Sequence, residues 1–282
     1  MPSGKSFIGT MKKTILILIS MTLSLALAAQ RLTILHTNDT HSHVDPVRSG
    51  ADAGLGGVVE RAAYIDSVRA ADGRRNVLLV DAGDFSQGSS YFTILKGDVE
   101  VDLMNAMGYD VTALGNHEFD NGLEELSRRL RNLRCPAVCA NYEFSGSDLS
   151  RIVRPYTIIR RGGFRIGVIG LLTDVSRVVE KHIADKIRYI DPVEVTNRYA
   201  AYLKDVKKCD IVMCLSHLGY DSGPDSDVRL AARTRDVDLI IGGHSHTFLE
   251  SSVEVPDLDG KPVTIVTDGC WGLYVGNLKV GR

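Results

Sequence analysis

Five apolar segments of this chain each lead directly into a cluster of aspartate, asparagine or histidine, and this feature restricts the fold most. The clusters follow segments that end near His36, Ala82, Leu114, Leu215 and Ile241. Short, continuous apolar runs are typical of strands that are buried on both faces. Ligands of open α/β sheets gather at the carboxyl ends of the strands. We therefore expect the five clusters to converge on one edge of the fold.

Segments with helical spacing of apolar residues alternate with these strands. They cover residues 58–68, 98–107, 121–133 and 191–206. The last helix is expected to begin at Asp191-Pro192 and to bury Val195, Tyr199, Leu203 and Val206. Gly162-Gly163 between two strand-like segments predicts a hairpin. Further strands are expected at 137–140, 264–267 and 273–280, and an exposed acidic loop at 221–227. This order predicts one α/β domain with a mixed sheet, or with two sheets packed together.

The first 29 residues have the three-part layout of a secretory signal peptide. Lys12-Lys13 precedes an apolar run over 14–27, and Ala26-Leu27-Ala28 provides a small-x-small cleavage pattern. The run is shorter than the roughly 20 apolar residues that a transmembrane helix needs to cross the bilayer. Residues 1–29 are therefore expected to be an extension plus a signal peptide, with residues 30–282 as the mature domain. The expected location is periplasmic or secreted, without a stable membrane span after cleavage, and an uncleaved membrane anchor is the alternative.

Charge and aromatic content argue against a nucleic-acid polymer as partner. The formal net charge is −2, from 33 basic and 35 acidic residues, so the chain has no excess of basic residues to bind a phosphate backbone. Aromatic residues make up only 6% of the chain, few for a platform that stacks bases. Five cysteines cannot all pair and show no zinc-finger spacing, so we expect none of them to be catalytic.

The clustered side chains are those that bind metal ions through nitrogen and oxygen. The candidates are Asp39, His41, Asp84, Asn116, His217, His244 and His246. Seven ligands exceed the need of one tetrahedral ion and suit two ions that share a carboxylate, most naturally Asp84. A set without thiolate favours Mn²⁺, Zn²⁺, Fe²⁺ or Co²⁺. Two such ions, roughly 3.5–4 Å apart, can clamp a phosphoryl group and activate a water molecule.

Local spacing supports this interpretation. Residues i and i+2 of an extended segment point the same way, so Asp39 with His41, and His244 with His246, are expected to act in pairs. Glycines before three clusters, Gly83, Gly115 and Gly243, allow close approach of the backbone. Taken singly, a strand-end histidine is usually a surface or hydrogen-bonded residue, and Asp39 or Asn116 alone could cap a turn. His36 is expected to form a hydrogen bond in the core, and His43 to reach solvent or the surroundings of the ligands.

In this order the clusters resemble the five motifs of the calcineurin-like metallophosphoesterase superfamily. The matching residues are Asp39-x-His41, Gly83-Asp84, Gly115-Asn116-His117-Glu118, His217 and Gly243-His244-x-His246. The longer stretches Thr37–His41, Gly83–Gly88 and Asn116–Asp120 look like the 5′-nucleotidase family, which includes UDP-sugar hydrolases and 2′,3′-cyclic-nucleotide phosphodiesterases. The resemblance covers residues 30–282, as a catalytic domain only.

The resemblance implies a four-layer α/β/β/α sandwich with two mixed β-sheets. It implies two divalent ions (Mn, Zn, Fe, Co or Mg), the first held by Asp39, His41, Asp84 and His246. The second would be held by Asp84, Asn116, His217 and His244. Asn116 and His117 would contact the substrate, and His117 would form the catalytic pair with Asp120, which orients it. The resemblance also implies attack by a metal-bound water.

The resemblance further implies an exported hydrolase of phosphate esters, with 5′-nucleotides or related nucleotides as expected substrates. A cyclic-nucleotide phosphodiesterase is the alternative. Two-domain bacterial members often have glutamine in place of His246, so we expect a changed metal preference. They also carry a C-terminal domain that stacks the nucleobase, and this chain stops where that domain would begin. A separate partner chain, a shortened chain or a substrate without a base pocket are open explanations, as is a metal-binding module that needs its partner for activity.

Overall fold

The computed structural model describes residues 30–176, 179, 181–221 and 223–281. The predicted extension and signal peptide, residues 1–29, lie outside the described residues. In chain order, strands β1–β13 are Arg31–Thr37, Val77–Asp81, Val111–Ala113, Ala137–Val138, Tyr142–Glu143, Tyr156–Arg161, Phe164–Leu172, Arg188–Tyr189, Ile211–His217, Leu239–Gly242, Val253–Pro256, Pro262–Val266 and Gly276–Gly281. Helices α1–α8 are Val58–Asp72, Ser90–Leu95, Asp98–Met107, Gly122–Asn132, Leu149–Ile152, Lys181–Ala184, Pro192–Ala201 and Asp227–Arg233. Short 3₁₀ segments lie at Arg74–Asn76 and Asn116–Phe119, and a π-helical segment lies at Tyr202–Val206.

The described strands form two large mixed sheets and one small ladder. The first sheet has the order β13-β1-β2-β3-β4, with β1 to β4 parallel and β13 antiparallel to β1. The second has the order β11-β12-β10-β9-β7-β6, with a parallel centre and an antiparallel strand at each edge. Strands β5 and β8 form the small antiparallel ladder.

Alternate side chains of the central strands enter two different cores. In β9, Met213 and Leu215 pack between the two sheets, whereas Val212 and Cys214 pack against the outer helices. In β2, Val80 lies between the sheets and Leu79 faces the opposite side. Each sheet is therefore buried on both faces, which explains why its strands are continuous apolar runs in the sequence.

Helices cover the outer face of each sheet. On the first sheet, α1, α3 and α4 contribute Ile65, Met104 and Leu126 to the outer core. On the second, α7 and α8 contribute Val195 and Leu230. The layers are therefore helix, sheet, sheet and helix. This confirms the predicted four-layer α/β/β/α sandwich with two mixed sheets.

Some local predictions were wrong. Val206 is 62% exposed, because the chain beyond α7 widens into the π-helical segment and turns this residue away from the core. The last strand begins at Gly276 rather than at Leu273. The loop predicted to be exposed over 221–227 ends before Asp227, because this residue is fully buried and begins α8. Gly162-Gly163 does join β6 to β7, as the hairpin prediction required.

The sandwich brings the carboxyl ends of both sheets to one edge. The first sheet contributes the loops after β1, β2 and β3, and the second contributes the ends of β9 and β10. His217 Nδ1, at the end of β9, donates a hydrogen bond of 2.8 Å to the carbonyl oxygen of Ala82, just after β2. The predicted edge is thus a junction between two sheets. Within the described ranges, no helix combines the length and apolar character that crossing a bilayer requires.

Candidate metal centre

The structure brings the predicted ligands together as two adjoining groups at this edge. The first group is Asp39, His41 and His246, and the second is Asp84, His217 and His244. Within each group, one ligand atom of every residue lies within 4.8 Å of the others. The side-chain oxygen of Asn116 lies 2.8 Å from Nδ1 of His244, so Asn116 adjoins the second group.

The first group places two imidazole nitrogens opposite one carboxylate. Nε2 of His41 and Nε2 of His246 are 2.9 Å apart, and Oδ1 of Asp39 lies 3.8 Å and 3.5 Å from them. Burial lowers the pKa of His41, whereas Asp39 and then Cys270 raise the pKa of His246 to about 10. The raised pKa favours a proton on His246, and the lowered pKa favours a neutral His41. Neutral His41 keeps a lone pair, which is the form that binds a metal ion.

The second group contains a buried ring nitrogen without a hydrogen bond. Nδ1 of His217 donates to the Ala82 carbonyl, so Nε2 points toward the carboxylate of Asp84, 3.0 Å from Oδ2. His217 is fully buried, and among the described residues its Nε2 has no partner at hydrogen-bond geometry. An unsatisfied nitrogen beside a carboxylate fits a cation, because a divalent ion would accept both lone pairs.

Asp84 and His217 shift each other's pKa because their charges are opposite and close together. Burial opposes ionisation of Asp84, but His217 and His41 hold its pKa below the usual value. Burial also opposes the charge on His217, while Asp84 and Asp39 raise its pKa to about 10. The carboxylates of Asp84 and Asp39 therefore stabilise a positive charge beside Nε2 of His217. Divalent cations can supply that charge in place of the imidazole proton, so the donor set fits a pair of metal ions.

The backbone at the ligands differs from the extended pairs that spacing predicted. Positive φ angles occur at Asp39 (48°), His41 (46°), Asp84 (53°), His244 (73°) and His246 (52°). Neither pair is extended, but Asp39 and His41 do share one group, as the i, i+2 spacing predicted. The prediction is wrong for His244 and His246, which belong to different groups. Residues that are not glycine cost roughly 1–3 kcal/mol each in such conformations, and these conformations cluster at functional sites.

All three of the predicted glycines are required by close contacts, and a Cβ at Gly83 would lie 2.6 Å from the backbone nitrogen of Gly115. A Cβ at Gly115 would lie 2.1 Å from Oδ1 of Asp84. A Cβ at Gly243 would lie 2.9 Å from Nδ1 of His217 and 3.0 Å from Oδ2 of Asp39. These distances are shorter than van der Waals contacts, so only glycine lets the ligands approach at these positions.

Glu118 and Arg129 shape the site, although no role could be assigned to either from the sequence. Glu118 is fully buried, and Oε2 accepts hydrogen bonds from the backbone N–H of Gly115 (2.6 Å) and Asp84 (2.9 Å). Its Oε1 accepts from the N–H of Ser86 at 3.0 Å. Arg129 donates to the Glu118 carbonyl and to Ser86 Oγ, both at 2.6 Å. Burial and the charge of Asp84 raise the pKa of Glu118 to about 7. The only sequence signal was the place of Glu118 in the Gly115–Glu118 motif.

His117 stands beside the ligand groups and is partly open to solvent. Its ring centroid lies 5.4 Å from that of His41, and 34% of its side chain is exposed. Nδ1 lies 2.9 Å from Oδ2 of Asp120, and this hydrogen bond raises the pKa of His117. The backbone N–H of His117 donates to Oδ1 of Asp84 at 2.8 Å. Because Asp120 engages Nδ1, Nε2 is the ring nitrogen left to act on a ligand.

The other two histidines considered from the sequence lie outside the groups. His36 is buried, with Nδ1 2.5 Å from a carboxylate oxygen of Asp268. His43 stacks on Trp271, with ring centroids 5.1 Å apart and an interplanar angle of 21°. His36 thus lies against a carboxylate in the core, but its Nδ1 has no partner at hydrogen-bond geometry within the described part of the chain, so the expected hydrogen bond is not confirmed. His43 belongs to the surroundings of the site.

The chain is similar in sequence and fold to known phosphoesterases. Residues 32–248 match the family model described as calcineurin-like phosphoesterase. Snake venom 5′-nucleotidase of Naja atra is 36% identical over 272 residues, 88% of this chain and 50% of that protein. The 5′-nucleotidase of Homo sapiens is 33% identical over 290 residues, 95% of this chain and 49% of that protein. The crystal structure of a 5′-nucleotidase precursor from Thermus thermophilus matches with a TM-score of 0.80 at 35% identity, over 89% of this chain and 51% of that one. The chain thus spans about half the length of these relatives.

Proposed function

Because the chain belongs to the calcineurin-like phosphoesterase family, we propose that it hydrolyses phosphate esters with a pair of divalent metal ions. The observation that carries the proposal is the meeting of the two ligand groups around the unsatisfied Nε2 of His217. Nucleotides are the proposed substrates, on the strength of the similarity to 5′-nucleotidases. Mn²⁺, Zn²⁺, Fe²⁺, Co²⁺ and Mg²⁺ are the candidate ions, since the ligands are nitrogen and oxygen atoms.

The proposed ligands divide between the two ions as the two groups divide in space. Asp39, His41 and His246 would hold one ion, and His217, His244 and Asn116 the other. Asp84 would serve both, since its Oδ2 lies 3.0 Å from Nε2 of His217 and 3.9 Å from Nε2 of His41. When bound, such ions polarise phosphoryl oxygens and lower the pKa of water.

The remaining chemistry belongs to His117, with Asp120 as its positioning residue. In the proposed mechanism, a water molecule forms the new bond to phosphorus, and His117 gives a proton from Nε2 to the leaving oxygen as the ester P–O bond breaks. Asp120 accepts the hydrogen bond from Nδ1–H, which fixes the ring and favours its protonated form. Asn116 and His117 would contact the phosphate on the open side of the site.

We further propose that the protein is exported, as the signal-peptide pattern in residues 1–29 suggests, and acts in the periplasm or outside the cell. Residues 30–282 would then be the catalytic domain. It remains a prediction that a separate chain supplies the half of the relatives that this chain does not match. Activity of residues 30–282 alone on small esters would show that hydrolysis does not need such a partner.

The test is phosphate release by purified residues 30–282 after chelation and reloading with each candidate metal. The substrates are a nucleoside monophosphate, glycerol phosphate, a 2′,3′-cyclic nucleotide and bis-p-nitrophenyl phosphate, so that monoesters and diesters are both covered. We expect activity only with metal, and its loss in Asp84→Asn. Asp66→Asn is the matched control, since 75% of that side chain is exposed on α1. Absence of turnover with every metal and ester would overturn the proposal.

A further inference from the structure

An open groove of about 420 Å³ lies beside the first ligand group. It is lined by residues 42–49, by Ser89, Ser90 and Tyr91, and by Trp271. Pockets for small ligands usually measure about 300–1,000 Å³, so the groove has the size of a small-molecule site. Trp271 is the only tryptophan in the chain.

The wall of the groove is continuous with the segments that carry the ligands. Ser42 and His43 directly follow His41, and Nδ1 of His43 lies 3.0 Å from the carbonyl oxygen of His41. On the other side, the backbone N–H of Trp271 donates to the carbonyl oxygen of Asp39 at 2.7 Å. A molecule in the groove would therefore lie next to a phosphate held at the metal centre.

Trp271 is held in a conformation that core packing does not explain. Its φ angle is 62°, which is uncommon for a large side chain, and the residue is 39% exposed. One face of its indole stacks on His43, which leaves the opposite face as the aromatic surface of the groove. An exposed aromatic residue in a strained turn beside a functional site points to ligand contact.

Polar groups surround this aromatic surface. The carboxylate of Asp45 lies 3.4 Å from the Tyr91 hydroxyl and accepts a hydrogen bond of 3.1 Å from Arg48. Ser89 Oγ lies 2.6 Å from Ser42 Oγ. Flat rings beside hydroxyls and a carboxylate match a nucleoside, which has a base with two π faces, exocyclic N–H donors and sugar hydroxyls.

We propose that this groove binds the nucleoside portion of the substrate, while the phosphate lies at the metal centre. The base would stack against Trp271 and Tyr91, and Asp45 would accept hydrogen bonds from the base or the sugar. This site deepens the proposed function and rests on it for its role in catalysis. Binding of a nucleoside, however, needs neither metal nor hydrolysis.

The first experiment uses Trp271 as a reporter in the chelated protein, residues 30–282. Adenosine is expected to quench its fluorescence saturably, whereas ribose 5-phosphate and phenol are not. Tyr91→Ala should weaken adenosine binding about tenfold, the scale of one stacking contact. Tyr274→Ala is the matched control, because this exposed tyrosine stacks on Phe248 and does not line the groove.

The second experiment measures selectivity as the ratio of kcat/KM for a nucleoside monophosphate to kcat/KM for glycerol phosphate. Trp271→Ala should lower this ratio about tenfold, and Trp271→Phe should restore part of it, since a phenyl ring still stacks. An unchanged ratio in both Trp271→Ala and Tyr91→Ala would overturn the proposal, and so would equal quenching by phenol and adenosine. Quenching by adenosine in a protein that hydrolyses no ester would support the groove and overturn only the proposed function.

Discussion

Among single residues, His117 can be separated from the metal ligands by its contacts. It is a member of neither ligand group, and its Nδ1 is hydrogen-bonded to Asp120. His117→Ala should therefore keep both metals and lower kcat by about two to four orders of magnitude, the usual scale for a proton-transfer group. Metal content and kcat measured on the same preparation test this. A variant that loses its metals would show that His117 is a ligand instead.

A second prediction at this scale concerns pH. The hydrogen bond to Asp120 raises the pKa of His117, so its protonated form persists to a higher pH than in a free imidazole. A proton donor is active below its pKa, and activity falls as the pH rises through that value. Asp120→Asn should lower this pKa and move the alkaline limb of the kcat/KM profile to lower pH.

The control for this shift is Asp66→Asn, which changes the same charge on the exposed side of α1. Its profile should coincide with that of the unchanged protein. If Asp120→Asn lowered the rate at all pH values without moving the limb, then Asp120 would only orient the ring.

The ligand residues could be foreseen from the sequence because Asp, Asn and His recur at the ends of apolar runs. Their geometry could not, since a positive φ at Asp39 or His246 has no sequence signal when the residue is not glycine. Glu118 and Arg129 were also not foreseeable in their roles. A buried carboxylate that accepts three backbone N–H groups resembles, in sequence, any other glutamate in a turn.

At the scale of elements, the turn after β3 packs against the turn after β2. A Cβ at Gly115 would lie 2.1 Å from Oδ1 and 2.3 Å from the backbone nitrogen of Asp84. Glu118 ties both turns together, so neither can move away easily. Gly115→Ala should lower metal occupancy and cost about 1–3 kcal/mol of unfolding free energy, as overpacking usually does. Metal analysis and urea denaturation measure the two effects.

Gly146→Ala is a useful comparison for that variant. Its φ of 71° makes alanine unfavourable, by roughly 1–2 kcal/mol. A Cβ there would meet nothing within 4 Å. This variant should lose stability and keep its metals. Equal metal content in both variants would mean that the close approach at Gly115 does not position Asp84.

The elements themselves were predictable where periodicity is strong and less so at their ends. The apolar segment that ends near Ala82 contains β2, Val77–Asp81, and the helix predicted at 98–107 is α3 with the same bounds. Val206 was misassigned because the predicted helical pattern assumes a constant number of residues per turn. The π-helical segment has more residues per turn, which changes the residues that face the core. The ladder of β5 and β8 was missed, since two-residue strands are too short to show a pattern.

For the whole molecule, the ligand groups connect the two sheets. Asp39 and Asp84 follow strands of the first sheet, whereas His217 ends β9 and His244 follows β10 in the second. A cation bound to both should hold the sheets together at this edge and stabilise the folded state alone, because the unfolded chain separates the ligands. A ligand at 100 times its dissociation constant adds roughly 2.7 kcal/mol to the unfolding free energy.

We therefore expect Mn²⁺ to raise the Tm of the chelated protein by about 5–10 °C, given the roughly 2–4 °C per kcal/mol usual for a domain of this size. Hydrogen exchange should slow in the loops after β1 and β2 and at the ends of β9 and β10 together. Asp84→Asn should abolish most of the rise, since it removes the carboxylate between the two groups, and Asp66→Asn should retain it. A rise that protects the loops of one sheet only would mean that the ions do not bridge the sandwich.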